Sequence, residues 1–124
     1  MPDPDPFIII EGIAVFRPAG EVSLGQGIQL VTAAVERARE QRIGRLLVNT
    51  SGLKGFEAPS LGTRYFFAHE WARAAGGQLA MALVARPEMI DPQKFGVAVA
   101  KSAGLQGDVF TTEEEALAWL RRLG

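Results

Sequence analysis

Cysteine is absent from this chain of 124 residues, and histidine occurs once, at position 69. Without cysteine there is no disulfide framework, no thiolate nucleophile and no cysteine-based zinc site, which fits a cytoplasmic protein. One histidine holds a metal only beside a carboxylate cluster with ligand spacing, and the sequence has none. Glu113-Glu114-Glu115 reads instead as favourable charge in the first turn of a helix. A surplus of either charge is also missing, with 13 Lys and Arg against 14 Asp and Glu. Nucleic-acid binders need basic excess to neutralise phosphate, so that class is excluded. Arg37, Arg39, Arg42 and Arg45 are interleaved with Glu36 and Glu40 and read as a solvated face. Long apolar runs are lacking as well. The run from Phe7 is broken by Glu11-Gly12, far short of the ~20 residues that span a bilayer, so no membrane insertion is expected. Residues 1–6, Met-Pro-Asp-Pro-Asp-Pro, are acidic and stiff where a signal peptide is basic and then apolar. They read as a disordered leader to one domain over 7–124.

What is present is punctuated alternation. Phe7–Ile10 and Ile13–Phe16 are short β-branched runs separated by two residues, the signature of an antiparallel hairpin. Pro18-Ala19-Gly20 ends the second strand. Ser23 with Gln26 forms a capping-box pattern at the start of a helix whose stripe is Leu24, Ile28, Val31, Val35 and Ala38. Gly44 is expected to close it. Arg45–Asn49 is a strand with a continuous apolar centre, expected to be buried on both faces. A loop through Pro59 leads to a helix from about Ser60 to Ala75, stopped by Gly76-Gly77, and Leu79–Val84 is a further buried strand. Asp91-Pro92 makes an N-cap and N1 pair for a helix through Ala103. Asp108–Phe110 is a last strand, and Thr111 or Thr112 caps a final helix carrying Leu117, Leu120 and Leu123. The order ββαβαβαβα predicts a single α/β domain: a mixed, mostly parallel sheet with an antiparallel leading strand and helices packed on it.

Enzyme chemistry finds little purchase. Ala58-Pro59-Ser60-Leu61-Gly62 loosely resembles a nucleophile elbow, which needs its serine in a sharp turn directly after a strand. The preceding strand ends near Asn49. His69 lies nine residues beyond Ser60, half a turn out of phase and about 13 Å along a helix. Gly25-Gln26-Gly27 lacks the third glycine of a dinucleotide fingerprint, and Gln26 stands where a P-loop needs lysine. A pair formed by scattered carboxylates such as Glu11, Glu57 and Glu88 is the one catalytic arrangement that sequence leaves open. No catalytic residue, metal ligand set or cofactor is assigned.

The segment from Asn49 to Trp71 stands out. Asn49, Thr50, Ser51, Gly52, Lys54 and Gly55 are turn formers and small polar residues leaving the C-terminal end of a buried strand, where open α/β sheets place their crevices. The loop feeds a helix N-terminus, which favours anions. On a helical wheel Leu61, Tyr65, Ala68, Ala72 and Ala75 share a stripe that Phe67 and Trp71 widen. Phe66 projects to the polar side beside Glu70 and Arg73, either as an exposed contact or as an ordinary surface aromatic. Arg64 falls inside the apolar arc, where it either snorkels to solvent or faces a ligand or partner.

Element order and this segment together resemble the STAS superfamily, whose type members are bacterial anti-sigma-factor antagonists such as the stage-II sporulation protein AA. The resemblance is greatest to its stand-alone STAS-like branch, sometimes grouped with lipid-binding Sec14 domains. In the antagonists a strand ending in Asp-x-Ser-Gly leads to a loop ending in Asp-Ser-Ser-Gly, whose second serine is phosphorylated by a partner kinase. Leu47-Val48-Asn49-Thr50-Ser51-Gly52 resembles the first motif, with Asn49 for the aspartate. Glu57-Ala58-Pro59-Ser60 corresponds to the second, with Pro59 at the acceptor position and Ser60 one place later. Phosphorylation would therefore require Ser60, which otherwise reads as a plain N-cap.

The resemblance implies a non-enzymatic regulatory or protein-binding module. Its expected contact residues are Asn49, Thr50, Ser51, Phe56, Glu57, Ser60, Arg64 and Phe66. A protein partner is expected, and Phe66 with the unprotected first strand would suit a homodimer. The Sec14 side implies an alternative, a small apolar or lipid ligand lying against Phe56, Tyr65, Phe67 and Trp71. An undiagnosed enzyme is the third reading.

Overall fold

Two residues with positive φ, Glu11 at 50° and Gly12 at 81°, reverse the chain after its first strand. This is the backbone that a two-residue I′ turn demands. It joins β1 (Phe7–Ile10) to β2 (Ile13–Phe16) in antiparallel register, Phe7 opposite Phe16 and Ile10 opposite Ile13. The computed structural model describes residues 5–123. Residues 1–4 of the expected leader lie outside them. Asp5 and Pro6 are described: Asp5 pairs with Arg37 at 2.9 Å, and the Pro6 carbonyl accepts from the Arg17 amide.

Three further strands extend the sheet in parallel: β4 (Arg45–Asn49), β6 (Ala80–Val84) and β7 (Gln106–Phe110), giving the order β1-β2-β4-β6-β7. Period-two alternation divides the core. Ala14, Phe16, Leu46, Val48 and Met81 face α1 (Leu24–Glu40) and α2 (Leu61–Ala75), while α3 (Phe95–Ser102) packs alongside through Ala100. Ile13, Val15, Leu47, Ala82 and Val84 face the opposite side, covered by Ala116 and Leu120 of α4 (Glu113–Arg122). The α/β class, the mixed sheet and the antiparallel leading strand are as the sequence predicts.

Local capping is also as predicted at three helices. Ser23 and Gln26 close a complete capping box on α1, Ser60 caps α2, and Thr112 rather than Thr111 caps α4. Other expectations are corrected. A second, two-stranded parallel sheet pairs β3 (Ala19–Glu21) with β5 (Gly52–Lys54), where only loop was expected. Buried Leu53 anchors it. Gly55, at φ 103°, follows it in a space where a Cβ would lie 2.6 Å from the Val22 carbonyl oxygen. Gly44 does not end α1; Arg42 takes the left-handed position at φ 58°. Helix α3 begins at Phe95, not at Pro92. The Asp91 carboxylate accepts from the amides of Gln93 and Phe95 at 3.1 and 2.9 Å, stabilising a turn ahead of the helix, and Lys94 at φ 52° separates the two. No helix among the described residues is long and apolar enough to cross a membrane.

A candidate binding site beside the strand ends

The turn formers that follow β4 divide between the two faces of the sheet. Asn49 turns toward α4. Its Nδ2 donates to Glu113 Oε2 at 2.7 Å, and its Oδ1 accepts from the Ser51 amide and hydroxyl at 3.0 and 2.6 Å. Glu113 is in turn gripped by the Arg17 guanidinium through two bonds of 2.8 and 2.9 Å. The Arg17 hydrogen bond holds the Glu113 carboxyl below its ordinary value; partial desolvation opposes this and Asn49 assists it. The same pairing raises Arg17. Asn49 and Ser51 thus stand in a hydrogen-bonded, ion-paired cluster on the α4 side.

Thr50 goes the other way. Its amide and hydroxyl both donate to the Val84 carbonyl, at 2.8 and 3.0 Å, and tie the loop to the end of β6. Beyond it the chain borders a cavity of about 140 Å³ between α1, α2, α3 and the sheet. Phe56 and Pro59 line it from the loop, Leu24 and Ile28 from α1, Phe67 and Trp71 from α2, and Met89 and Ile90 from the segment after β6. Phe67 and Trp71 stack with centroids 4.5 Å apart, and the indole N–H donates to the Ile28 carbonyl at 3.4 Å. The wall therefore presents apolar faces with its one indole donor already used.

Arg64 sits at this cavity half-buried. Its Nε donates to the Pro59 carbonyl and its Nη1 to the Met89 carbonyl, each at 3.1 Å, so the side chain bridges the loop before α2 and the short 3-10 turn Pro87–Met89. The conflict seen in sequence, a charge inside an apolar arc, is resolved by two carbonyl acceptors rather than by a carboxylate.

The remaining expected residues lie outside the cavity. Glu57 is exposed. Ser60 Oγ accepts from the Thr63 amide and bonds the Thr63 hydroxyl, at 3.2 and 3.1 Å. Phe66 is 53% exposed. The expected α2 stripe needs correction. Tyr65 and Leu61 are 54% and 56% exposed, and the buried face is Ala68, Trp71, Ala72 and Ala75. At 100° per residue the buried arc is centred between Arg64 and Ala68, rotated away from Tyr65. Tyr65 instead packs at a tilt on His69 at the surface, with centroids 4.5 Å apart, and does not line the cavity.

Sequence reasoning missed the walls built by α1, by Met89-Ile90 and by Val97 of α3. An apolar Met89-Ile90 pair inside a Pro-bounded loop was the one available signal. Nothing in sequence announced that Arg17 and Glu113 would meet. Among the described residues no group of His, Asp or Glu has metal-site geometry.

No family model matches the chain, and no curated protein matches it. Solved structures do. A crystal structure of TM1081, a candidate anti-sigma factor antagonist from Thermotoga maritima, superposes with a TM-score of 0.56 at 16% identity, covering 94% of each chain. An NMR structure of TM1081 gives a TM-score of 0.51 at 15% identity, covering 98% of this chain and 92% of that one. This chain shares its STAS-like fold with that candidate antagonist.

Proposed function

We propose that the chain is a non-enzymatic binding module of the regulatory STAS-like type, engaging a protein partner through the start of α2 and the loop before it. The observation that carries this is a set of exposed large hydrophobic side chains on the first two turns of that helix: Leu61 and Tyr65 on one side and Phe66 round from them, each more than half exposed. Exposed apolar surface of this kind marks interaction sites when it extends beyond single scattered residues. The fold's likeness to a candidate anti-sigma factor antagonist supports the reading, since an antagonist of that kind is a regulatory protein. The chemistry of the loop agrees, because Ser60 Oγ is engaged at the helix cap with the amide and hydroxyl of Thr63. Phosphate on Ser60 would meet the positive end of α2 and alter the charge of this surface directly. The test is affinity capture with purified protein, comparing wild type, Phe66→Ala and Ser60→Asp. We expect Phe66→Ala to lose the partner and Ser60→Asp to change its recovery. Equal recovery by all three would refute this surface.

A second reading is favoured by the cavity itself: a small apolar ligand held against Phe56, Phe67 and Trp71. Native mass spectrometry of freshly purified protein tests it, with a retained mass that disappears on denaturation as the expected result.

A further inference from the structure

A cavity of about 140 Å³ is close to the ~150 Å³ apolar cavities that take up a single benzene ring. That size accommodates one six-membered ring. Three cations border the space, and they are not equivalent. Lys94 is paired with Asp108 at 2.9 Å, and Arg86 is turned to Glu88 at 3.7 Å and to the Leu53 carbonyl at 3.3 Å. Arg64 has no carboxylate partner among the described residues. Its two bonds to carbonyls use Nε and one N–H of Nη1, leaving the Nη2 group and the second Nη1 N–H without a protein acceptor there. Three N–H donors of the guanidinium thus remain for an outside acceptor, and a carboxylate brings two oxygens to such donors. Of the two anions on the wall, Asp91 holds two backbone amides with its Oδ2 and Asp108 is paired with Lys94.

We propose that the cavity is the binding site of a small monocyclic aromatic carboxylate, its ring against Phe67 and Trp71 and its carboxylate on the remaining N–H donors of Arg64. The proposal rests on the apolar-ligand reading above and makes it specific. The tether to Pro59 and Met89 holds the guanidinium in place before the ligand arrives, so less side-chain freedom is lost on binding. A phosphate would carry more charge than the single unpaired cation balances. An amine would meet Arg64 as a like charge.

The experiment is a ¹H–¹⁵N NMR titration of the full chain with benzoate, benzyl alcohol and acetate. Benzoate is expected to shift the Trp71 indole N–H and the amides of Phe67 and Val97. It should bind at least about tenfold more tightly than benzyl alcohol, the usual worth of a charge-assisted hydrogen bond, and acetate should bind more weakly still. Arg64→Gln should bring benzoate down to the level of benzyl alcohol and leave the alcohol unchanged. Because Arg64 also ties two segments together, Ala100→Leu serves as a second variant: it fills the cavity, keeps the guanidinium and should abolish binding of both aromatic ligands. Equal affinity for benzoate and benzyl alcohol, or full benzoate affinity in Arg64→Gln, would overturn the carboxylate assignment while leaving the apolar-ligand reading standing. No shift at Trp71, Phe67 or Val97 with either aromatic ligand would overturn both.

Discussion

Helix α4 covers its face of the sheet through two fully buried side chains, Ala116 and Leu120, and Leu120 is the larger. Leu120→Ala removes an isopropyl group from a site with no solvent exposure. At about 0.8 kcal/mol per buried carbon the transfer loss is about 2.4 kcal/mol. The space left beneath the helix adds to this, and buried Leu→Ala changes span about 2–5 kcal/mol. Because α4 packs with one face against the sheet and can settle toward it, we expect about 3 kcal/mol. For a domain of this size that corresponds to a fall in Tm of about 10–15 °C. Urea unfolding followed by tryptophan fluorescence checks it, since Trp119 lies on the same helix and packs on Phe110 at 5.8 Å. Leu117→Ala, at a half-buried position of that helix, should cost about 1 kcal/mol and supplies the scale. If Leu120→Ala cost no more than Leu117→Ala, or less than about 1 kcal/mol, α4 would not hold the sheet in the way its burial implies.

Glu113 predicts a pH dependence. Its folded pKa is depressed by Arg17, so its contribution is present above the unfolded value of about 4.3 and is lost as pH falls through the folded one. Arg17 is 44% exposed, which limits the effect to about 1 kcal/mol or less. Stability of wild type relative to Glu113→Gln, by urea titration, should decline between about pH 5 and pH 3; a constant difference refutes the assignment. Gly55→Ala forces a left-handed alanine against the Val22 carbonyl and should cost at least about 1–3 kcal/mol. Gly62→Ala, in open space within α2, should stabilise by about 0.5–1 kcal/mol, so calorimetry of the two variants should show Tm shifts of opposite sign. Ser60→Ala removes the α2 N-cap and should cost about 1 kcal/mol in chemical unfolding.

The parts of this fold that were legible in sequence are those set by neighbours along the chain. Glu11-Gly12 makes its own turn, Ser23 and Gln26 satisfy each other, and Gly76 takes the left-handed cap of α2 at φ 56°. Leu46-Leu47-Val48 reads as a two-sided buried strand because both faces of the sheet are covered by helices. What escaped depends on residues distant in sequence. Gly52-Leu53-Lys54 is too short for periodicity, and it becomes a strand through Ala19–Glu21. Tyr65 looks as apolar as Trp71 on a wheel, but small Ala68 and Ala72 let the helix approach its neighbours and set which side is inside. Asn49 and Thr50 read in sequence as one contact loop; β4 sends one to each face, so the first joins Glu113 and the second joins the cavity. Arg64 stands out in sequence by its conflict with the pattern around it, and its acceptors lie in a loop and a short 3-10 turn whose course the sequence does not reveal.

The register of the sheet also shapes the order in which the chain can assemble. Only the β1–β2 hairpin is built from adjacent segments, and it can close as soon as Phe16 is available. The inner edge of β2 pairs with β4, Ala14 beside Leu46, so it waits until all of α1 has been made. Each later strand joins in parallel through a helix, and such non-local pairings bear their loop-closure entropy before contacts reward it. During that interval β2 presents apolar Ile13–Phe16 with one backbone edge open. The β2–β4 seam is thus the first non-local pairing the sheet requires, and it is the contact that covers the open edge of Ile13–Phe16.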